Sequence, residues 1–148
     1  EPAFEKLDAA LAKAMFSIGA VKGFEIGEGM NAALLKGSQN NDAYRMGENG
    51  KVVKKTNHSG GITGGLSDGS PIVLRAAFKP TPSIAAPQET VNRDGEDIQI
   101  SIKGRHDPII VPRAVVVVES MAAAVILDAM LAGMTSRMDR IRSFYDLP

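Results

Sequence analysis

The residues best suited to bind an anion or move a proton lie in G-R-H-D-P, at positions 104–108. Arg105 suits bidentate contact with phosphate or carboxylate, and Asp107 offers a carboxylate that can act as a base or orient a neighbour. In a strand, His106 would point to the face opposite Arg105 and Asp107. A capped turn with an Arg105–Asp107 salt bridge is the structural alternative.

A second candidate segment, F-K-P-T-P-S-I at 78–84, combines a cation with two hydroxyl groups. A predicted strand would place Lys79 at its end, and two prolines would stiffen the loop that presents Thr81 and Ser83. An ammonium group and hydroxyls on a rigid backbone suit a phosphate or the polar edge of a flavin. A proline-rich exit from an edge strand, with Lys79 simply solvated, stays open as the alternative.

The third candidate is the glycine-rich segment N-H-S-G-G-I-T-G-G-L-S-D-G, at 57–69. Paired glycines let the backbone adopt positive φ, and successive N–H groups can form an anion-binding nest. The spacing matches neither a Walker A loop nor a dinucleotide fingerprint, and a glycine-rich hairpin is the alternative. His58 fits a turn position, and two histidines so far apart in sequence predict no metal site.

Composition and charge narrow the classes of partner. Seventeen basic and seventeen acidic side chains give zero net charge, which offers no reason to expect nucleic acid. The absence of cysteine excludes disulfides, cysteine-based zinc sites and a cysteine nucleophile. The longest apolar stretch, 114–131, is interrupted by Glu119, Ser120 and Asp128, so we predict no membrane span and expect a cytoplasmic protein.

The predicted elements that must position these residues indicate an α+β fold in one domain, residues 1–148. Strands joined by turns imply antiparallel pairing, and therefore an antiparallel sheet packed on helices. We predict an amphipathic helix at 4–18, a strand at 20–26, a short helix at 32–36, a turn at Asn49-Gly50, strands at 72–78 and 98–102, a long helix at 112–134 and a loosely packed tail.

Five motifs, taken together and in this order, resemble the C-terminal part of the chorismate synthase family. They read A-V-K-G-F-E-I-G-E-G from position 20, G-S-Q-N-N-D from 37, N-H-S-G-G-I-T-G-G from 57, R-A-A-F-K-P-T-P-S-I from 75 and G-R-H-D-P-I-I-V-P-R-A-V-V-V-V-E-S-M from 104. The resemblance implies a β-α-β sandwich, in which helices lie between two antiparallel sheets. It also implies that the family's N-terminal half is absent here, so we expect this chain to be inactive alone.

The resemblance further implies an activity. The family eliminates phosphate from 5-enolpyruvylshikimate 3-phosphate in a trans 1,4 sense, giving chorismate for aromatic amino-acid biosynthesis. Its members require reduced flavin mononucleotide (FMN) although the reaction has no net redox change, and they form homotetramers. NADP is associated with the family, while the source of electrons for the flavin stays open. A non-catalytic anion- or nucleotide-binding module and an oligomerisation domain are the alternatives.

Residue roles also follow from the resemblance. It implies that Asp107 lies near the flavin and takes part in proton transfer as a catalytic residue. It also implies that Arg105 contacts the substrate as well as the flavin. The positions that match the family's flavin site are Gly19, Ala20, Gly64, Lys79, Pro80, Thr81, Pro82, Ser83 and Arg105.

Overall fold

The computed structural model describes residues 4–134 and 136–146, which form short helices and strands and one long helix. The helices are α1 (Leu7–Phe16), α2 (Gly37–Asn40), α3 (Val111–Met134) and α4 (Met138–Tyr145), with a 3-10 helix at Gly29–Leu34. The strands are β1 (Val21–Ile26), β2 (Tyr44–Met46), β3 (Val52–Lys54), β4 (Ile62–Thr63), β5 (Leu66–Ser67), β6 (Leu74–Phe78), β7 (Gln88–Val91) and β8 (Asp97–Ile100).

The strands pair as antiparallel ladders, which confirms the α+β class. In the described part of the chain there are four two-stranded ladders, β1–β6, β2–β3, β4–β5 and β7–β8, where one larger sheet was predicted. The longest ladder pairs Val21 with Phe78 at one end and Ile26 with Leu74 at the other. Fifty or so residues separate these two strands, so the ladder brings two of the sequence motifs side by side.

A small core lies where α1 contacts β1 and α3. Leu11 and Met15 of α1 are fully buried, as expected for the apolar stripe of an amphipathic helix. Val21 from β1, Ile62 from β4 and Ala114 from α3 complete the set of buried apolar residues among those described. The α1 helix therefore connects the β1–β6 ladder to the long helix.

The α3 helix leaves most of its apolar surface exposed. It begins at Val111 with a proline in its first turn, and Ala114 is its one buried residue. Its length and apolar composition alone meet the criteria for a membrane-spanning helix, although Glu119, Ser120 and Asp128 interrupt its apolar run. Exposed apolar side chains occur along it, among them Val115, Val116, Leu127, Met130 and Leu131.

Several local predictions were wrong. The short helix predicted at 32–36 is a 3-10 helix that begins at Gly29. The β7 strand and the α4 helix were not anticipated, although residue 135 and residues 147–148 of the predicted loose tail lie outside the described part. The β8 strand exists but is exposed along its whole length, where one wet and one buried face were expected.

Candidate functional site

Residues 79–83 form a loop whose first residue is anchored beside the start of β1. The backbone N–H of Lys79 donates to the carbonyl oxygen of Ala20 at 2.9 Å. Ala20 has φ +71°, a conformation that few residues with a side chain adopt. Ala20, and with it the adjacent Gly19, therefore lies beside the start of the 79–83 loop.

A histidine joins the 79–83 loop to the 104–108 loop. The Nδ1 atom of His106 lies 3.1 Å from Oγ of Ser83, and its Nε2 atom lies 2.9 Å from the carbonyl oxygen of Ile102. Residues 101–110 form no strand, so the alternation expected of a strand does not apply to them. His106 faces the candidate site, contrary to the strand-based interpretation, and no spacing in the sequence indicated this contact.

Thr81 carries a polar atom of the 79–83 loop whose burial is unexplained. Its Oγ1 atom is buried and has no hydrogen-bond partner within the described residues. Because buried hydroxyl groups in folded proteins are nearly always paired, an orphaned one requires an explanation. A polar ligand group seated against the loop would provide that partner.

The two charged residues predicted in the 104–108 loop have different surroundings. Asp107 forms an ion pair with Arg113, in the first turn of α3, at 3.2 Å. Arg105 is exposed, and no carboxylate lies at ion-pair distance from it in residues 4–134 and 136–146. The alternative of an Arg105–Asp107 salt bridge is therefore absent from the described structure, and Arg105 remains available to an anion.

Gly64 lies away from this loop pair. It turns the β4–β5 hairpin with φ +63°, and the carbonyl oxygen of the next residue, Gly65, accepts from the N–H of Leu7 at 2.9 Å. Leu7 is the first residue of α1, whereas Ala20 follows the other end of that helix. Ten helical residues extend about 15 Å, so Gly64 and Lys79 lie roughly one helix length apart within the chain.

The first pair of glycines in the glycine-rich segment, Gly60 and Gly61, has a structural role. The N–H of Gly60 donates to the carbonyl of Asn57 at 3.1 Å, and the N–H of Gly61 donates to the Asn57 side chain at 2.8 Å. A Cβ atom at Gly60 would lie 2.6 Å from the Cα of Gly27, closer than atoms can approach. This pair therefore allows close backbone packing, and its two N–H groups are not free for an anion.

Asp42 is the centre of a polar network that the sequence did not reveal. Its carboxylate accepts from the backbone N–H groups of His58 at 2.8 Å and Ser59 at 2.9 Å, and from the hydroxyl of Thr56 at 2.8 Å. His58 Nδ1 lies 2.9 Å from the same carboxylate. Burial alone would raise the pKa of Asp42, but these hydrogen bonds outweigh burial and hold the pKa well below its usual range.

Lys54 extends this network to the β4–β5 hairpin. Its ammonium group donates to Asp68, to Ser59 at 2.9 Å and to Thr63 at 3.3 Å. The hydrogen bond from Lys54 outweighs burial and holds the pKa of Asp68 well below its usual range, and the same bond raises the pKa of Lys54. The network therefore fastens the glycine-rich segment to the β2–β3 hairpin.

Comparison with known proteins agrees with the motifs. The sequence pattern of the family described as "Chorismate synthase" matches residues 1–131. A chorismate synthase of Agathobacter rectalis is 68% identical over 98% of this chain and 39% of that protein. One from Lachnoclostridium phytofermentans is 65% identical over 98% of this chain and 40% of that protein.

A solved structure is also similar. A crystal structure of chorismate synthase superimposes with a TM-score of 0.71 and 32% identity, over 98% of this chain and 36% of the other. The chain thus spans about 40% of the length of the curated relatives. The match extends well beyond half of the chain in sequence and in fold, and the chain belongs to the chorismate synthase family.

Proposed function

We propose that this chain forms part of an enzyme that converts 5-enolpyruvylshikimate 3-phosphate to chorismate by trans 1,4-elimination of phosphate. The observation that carries the proposal is the junction of the 79–83 and 104–108 loops, where Thr81 leaves a buried hydroxyl unpaired. Membership of the family supports the reaction class. Because the chain spans about 40% of its relatives, we assign the activity to the longer protein that carries it.

The residues of the 79–83 loop fit reduced FMN. Lys79 supplies an exposed ammonium group suited to a phosphate or an electron-rich ring edge. The unpaired Thr81 hydroxyl and the Ser83 hydroxyl add two neutral polar contacts, and the Ala20 turn lies against the start of the loop. When bound, reduced flavin supplies the electron density that eases the departure of phosphate, and the protein supplies orientation and charge.

Arg105 is the candidate substrate-facing group, and Asp107 is the candidate catalytic group beside the flavin. A substrate with a phosphate and carboxylates needs cations nearby, and Arg105 is exposed with no carboxylate partner among the described residues. Asp107 is half-buried and held by Arg113. We propose that Asp107 exchanges a proton beside the flavin.

Gly64 is also proposed to contact the flavin, although it does not lie beside the 79–83 loop. Since it lies about one α1 length from Lys79, it can contact the same flavin only at the far end of the ligand or from a second copy of the chain. A homotetramer would permit the second arrangement. The Gly64 assignment is thus the part of the proposal that depends most on the complete assembly.

The exposed apolar surfaces support assembly with further protein. An open groove of about 650 Å³ lies between β6 and α3, lined by Leu74, Phe78, Val115, Val118 and Ile126 among others. We propose that the remainder of the longer protein, or other copies, cover this groove and the α3 surface. A cytoplasmic homotetramer without nucleic-acid or membrane partners completes the proposal, and the source of electrons for the flavin stays open.

Anaerobic titration with reduced FMN, followed by an assay of chorismate formation, tests this function in the longer protein, called the intact protein below. We expect Lys79→Ala to weaken flavin binding by about tenfold, the typical contribution of a charged hydrogen bond. Lys51→Ala is the matched control, because Lys51 is exposed in the turn between β2 and β3. Equal affinities of the two variants would contradict the flavin assignment, and chorismate formation by the 148-residue chain alone would contradict the expectation that it is inactive.

A further inference from the structure

His106 is not one of the residues that match the family's flavin site, yet its side chain contacts one of them, Ser83. It is half-buried, and both ring nitrogens have partners, Ser83 on one side and Ile102 on the other. The two partners belong to different segments of the chain. The ring is therefore held in orientation by two contacts, of which one reaches a proposed flavin ligand.

The identity of the second partner determines where the ring proton lies. The carbonyl oxygen of Ile102 can only accept a hydrogen bond, so Nε2 of His106, at 2.9 Å, must donate. A neutral imidazole that carries its proton on Nε2 has a lone pair on Nδ1. The contact of 3.1 Å between Nδ1 and Ser83 Oγ then requires the serine hydroxyl to donate.

The hydrogen bond from Ser83 to His106 limits the kind of ligand group that Ser83 can contact. A serine hydroxyl has one proton and two lone pairs, and Ser83 uses its proton on His106. Toward any other partner, Ser83 can therefore only accept a hydrogen bond. A phosphate dianion has no proton to donate, whereas the ring N–H and ribityl hydroxyl groups of a flavin do.

We infer that His106 is a positioning residue which keeps Ser83 as a hydrogen-bond acceptor, so that Ser83 contacts a donor group of the flavin and not its phosphate. This inference rests on the proposed function, because it takes the 79–83 loop as the flavin-binding segment. It assigns a role to His106 and narrows the role of Ser83. The sequence alone left the Ser83 hydroxyl equally suited to phosphate and to the ring edge.

The first test reads the proton position without any ligand. Solid-state ¹⁵N NMR of the intact protein, labelled at histidine and held at about pH 8, reports each ring nitrogen as protonated or unprotonated, above the ordinary histidine pKa of about 6.5. The His106 signals are assigned by their loss in His106→Asn. We expect Nε2 protonated and Nδ1 unprotonated, and the reverse tautomer would overturn the inference.

The second test separates the two hydrogen bonds with a pair of variants. His106→Asn keeps an acceptor near the Nδ1 position for Ser83, and His106→Gln keeps a donor near the Nε2 position for Ile102. In anaerobic titrations with reduced FMN, we expect the Asn variant to bind within about twofold of wild type. Ser83→Ala should bind about fivefold more weakly, the contribution of one neutral hydrogen bond. The Gln variant should bind more weakly than wild type but no more weakly than Ser83→Ala, because it frees the Ser83 proton and leaves the Ser83 oxygen in place.

The double variant His106→Gln with Ser83→Ala should bind no more weakly than Ser83→Ala alone, since His106 is inferred to act on the flavin only through Ser83. Additive losses, or a Gln variant that binds like wild type, would overturn the inference. Urea unfolding of each variant shows whether a loss of binding reflects a loss of folded protein. If wild type binds no flavin at all, the proposed function fails, while the NMR result still decides the tautomer of His106.

Discussion

The backbone N–H of Lys79 meets the carbonyl oxygen of Ala20 at 2.9 Å, where the β1–β6 ladder ends and the candidate flavin loop begins. Ala20 makes this contact with φ +71°, and it is one of two described non-glycine residues with positive φ. Backbone strain of this kind persists only where the surrounding structure enforces it. The Ala20 conformation that positions the loop therefore lowers the stability of the fold locally.

Ala20→Val should lower the free energy of unfolding by about 1–2 kcal/mol, because a branched side chain is strained further at positive φ. Urea denaturation measures the change. Ala85→Val is the control, since Ala85 is exposed and has negative φ, and it should stay within about 0.5 kcal/mol of wild type. A similar loss in both variants would show that strain at Ala20 is not the cause.

Thr81→Val should separate ligand binding from stability. Valine has nearly the shape of threonine and lacks the hydroxyl whose oxygen is buried and unpaired, so the folded protein should be as stable as wild type or slightly more stable. The affinity for reduced FMN should fall by about fivefold. Anaerobic titration and urea unfolding of the same preparation give both results.

The matched control for that variant is Thr90→Val, on the exposed β7 strand. It should leave flavin affinity unchanged. If Thr81→Val instead destabilises the protein and binds flavin normally, the hydroxyl has a partner in the folded protein and no role toward a ligand.

Arg105→Ala should weaken binding of the phosphorylated substrate or of the flavin by at least tenfold, because a charged hydrogen bond contributes about 1.5–3 kcal/mol. Equilibrium titration in the intact protein provides the measurement. Arg93→Ala removes another exposed cation, from the turn between β7 and β8, and should have no effect. Unchanged affinities for both ligands in Arg105→Ala would remove its assigned role.

Asp42→Asn should destabilise the fold by about 2–3 kcal/mol, because it removes a nearly buried charge that accepts several hydrogen bonds and faces Lys54. The unfolding midpoint in urea reports the loss. Asp139→Asn offers a contrast, since Asp139 pairs with Arg137 on an exposed surface and should matter little. Comparable losses in the two variants would contradict the role of Asp42 as a structural centre.

Acid should weaken the fold through Asp42 and Asp68. Both have pKa values held below the usual range. At pH values between the lowered pKa and the ordinary carboxyl pKa, the unfolded state therefore binds more protons than the folded state. Their contribution is fully present above the ordinary carboxyl pKa of about 4 and is lost as the pH falls below it. Unfolding free energies measured from about pH 7 to about pH 3 should therefore decline less steeply in an Asp42→Asn, Asp68→Asn double variant, and parallel curves would refute this account.

Much of the fold was predictable from local patterns. Apolar spacing predicted α1, in which Leu11 and Met15 are buried, and the predicted Asn49-Gly50 turn joins β2 to β3, two strands that were not predicted. β-branched and alternating residues predicted β1 and β6. These features depend on residues close in sequence, where side-chain periodicity and turn chemistry act directly. The ordered motifs also sufficed to indicate the family.

The tertiary structure alone decided which side chains meet. The sequence did not show that His106 contacts Ser83, that Asp107 pairs with Arg113, or that Asp42 and Lys54 fasten the glycine-rich segment. It also did not show that α1 separates Gly64 from Lys79. Most of these contacts join residues far apart in sequence, and they exist because β1 pairs with β6 and two irregular loops meet. Periodicity describes one element at a time, so it carries no information about such meetings.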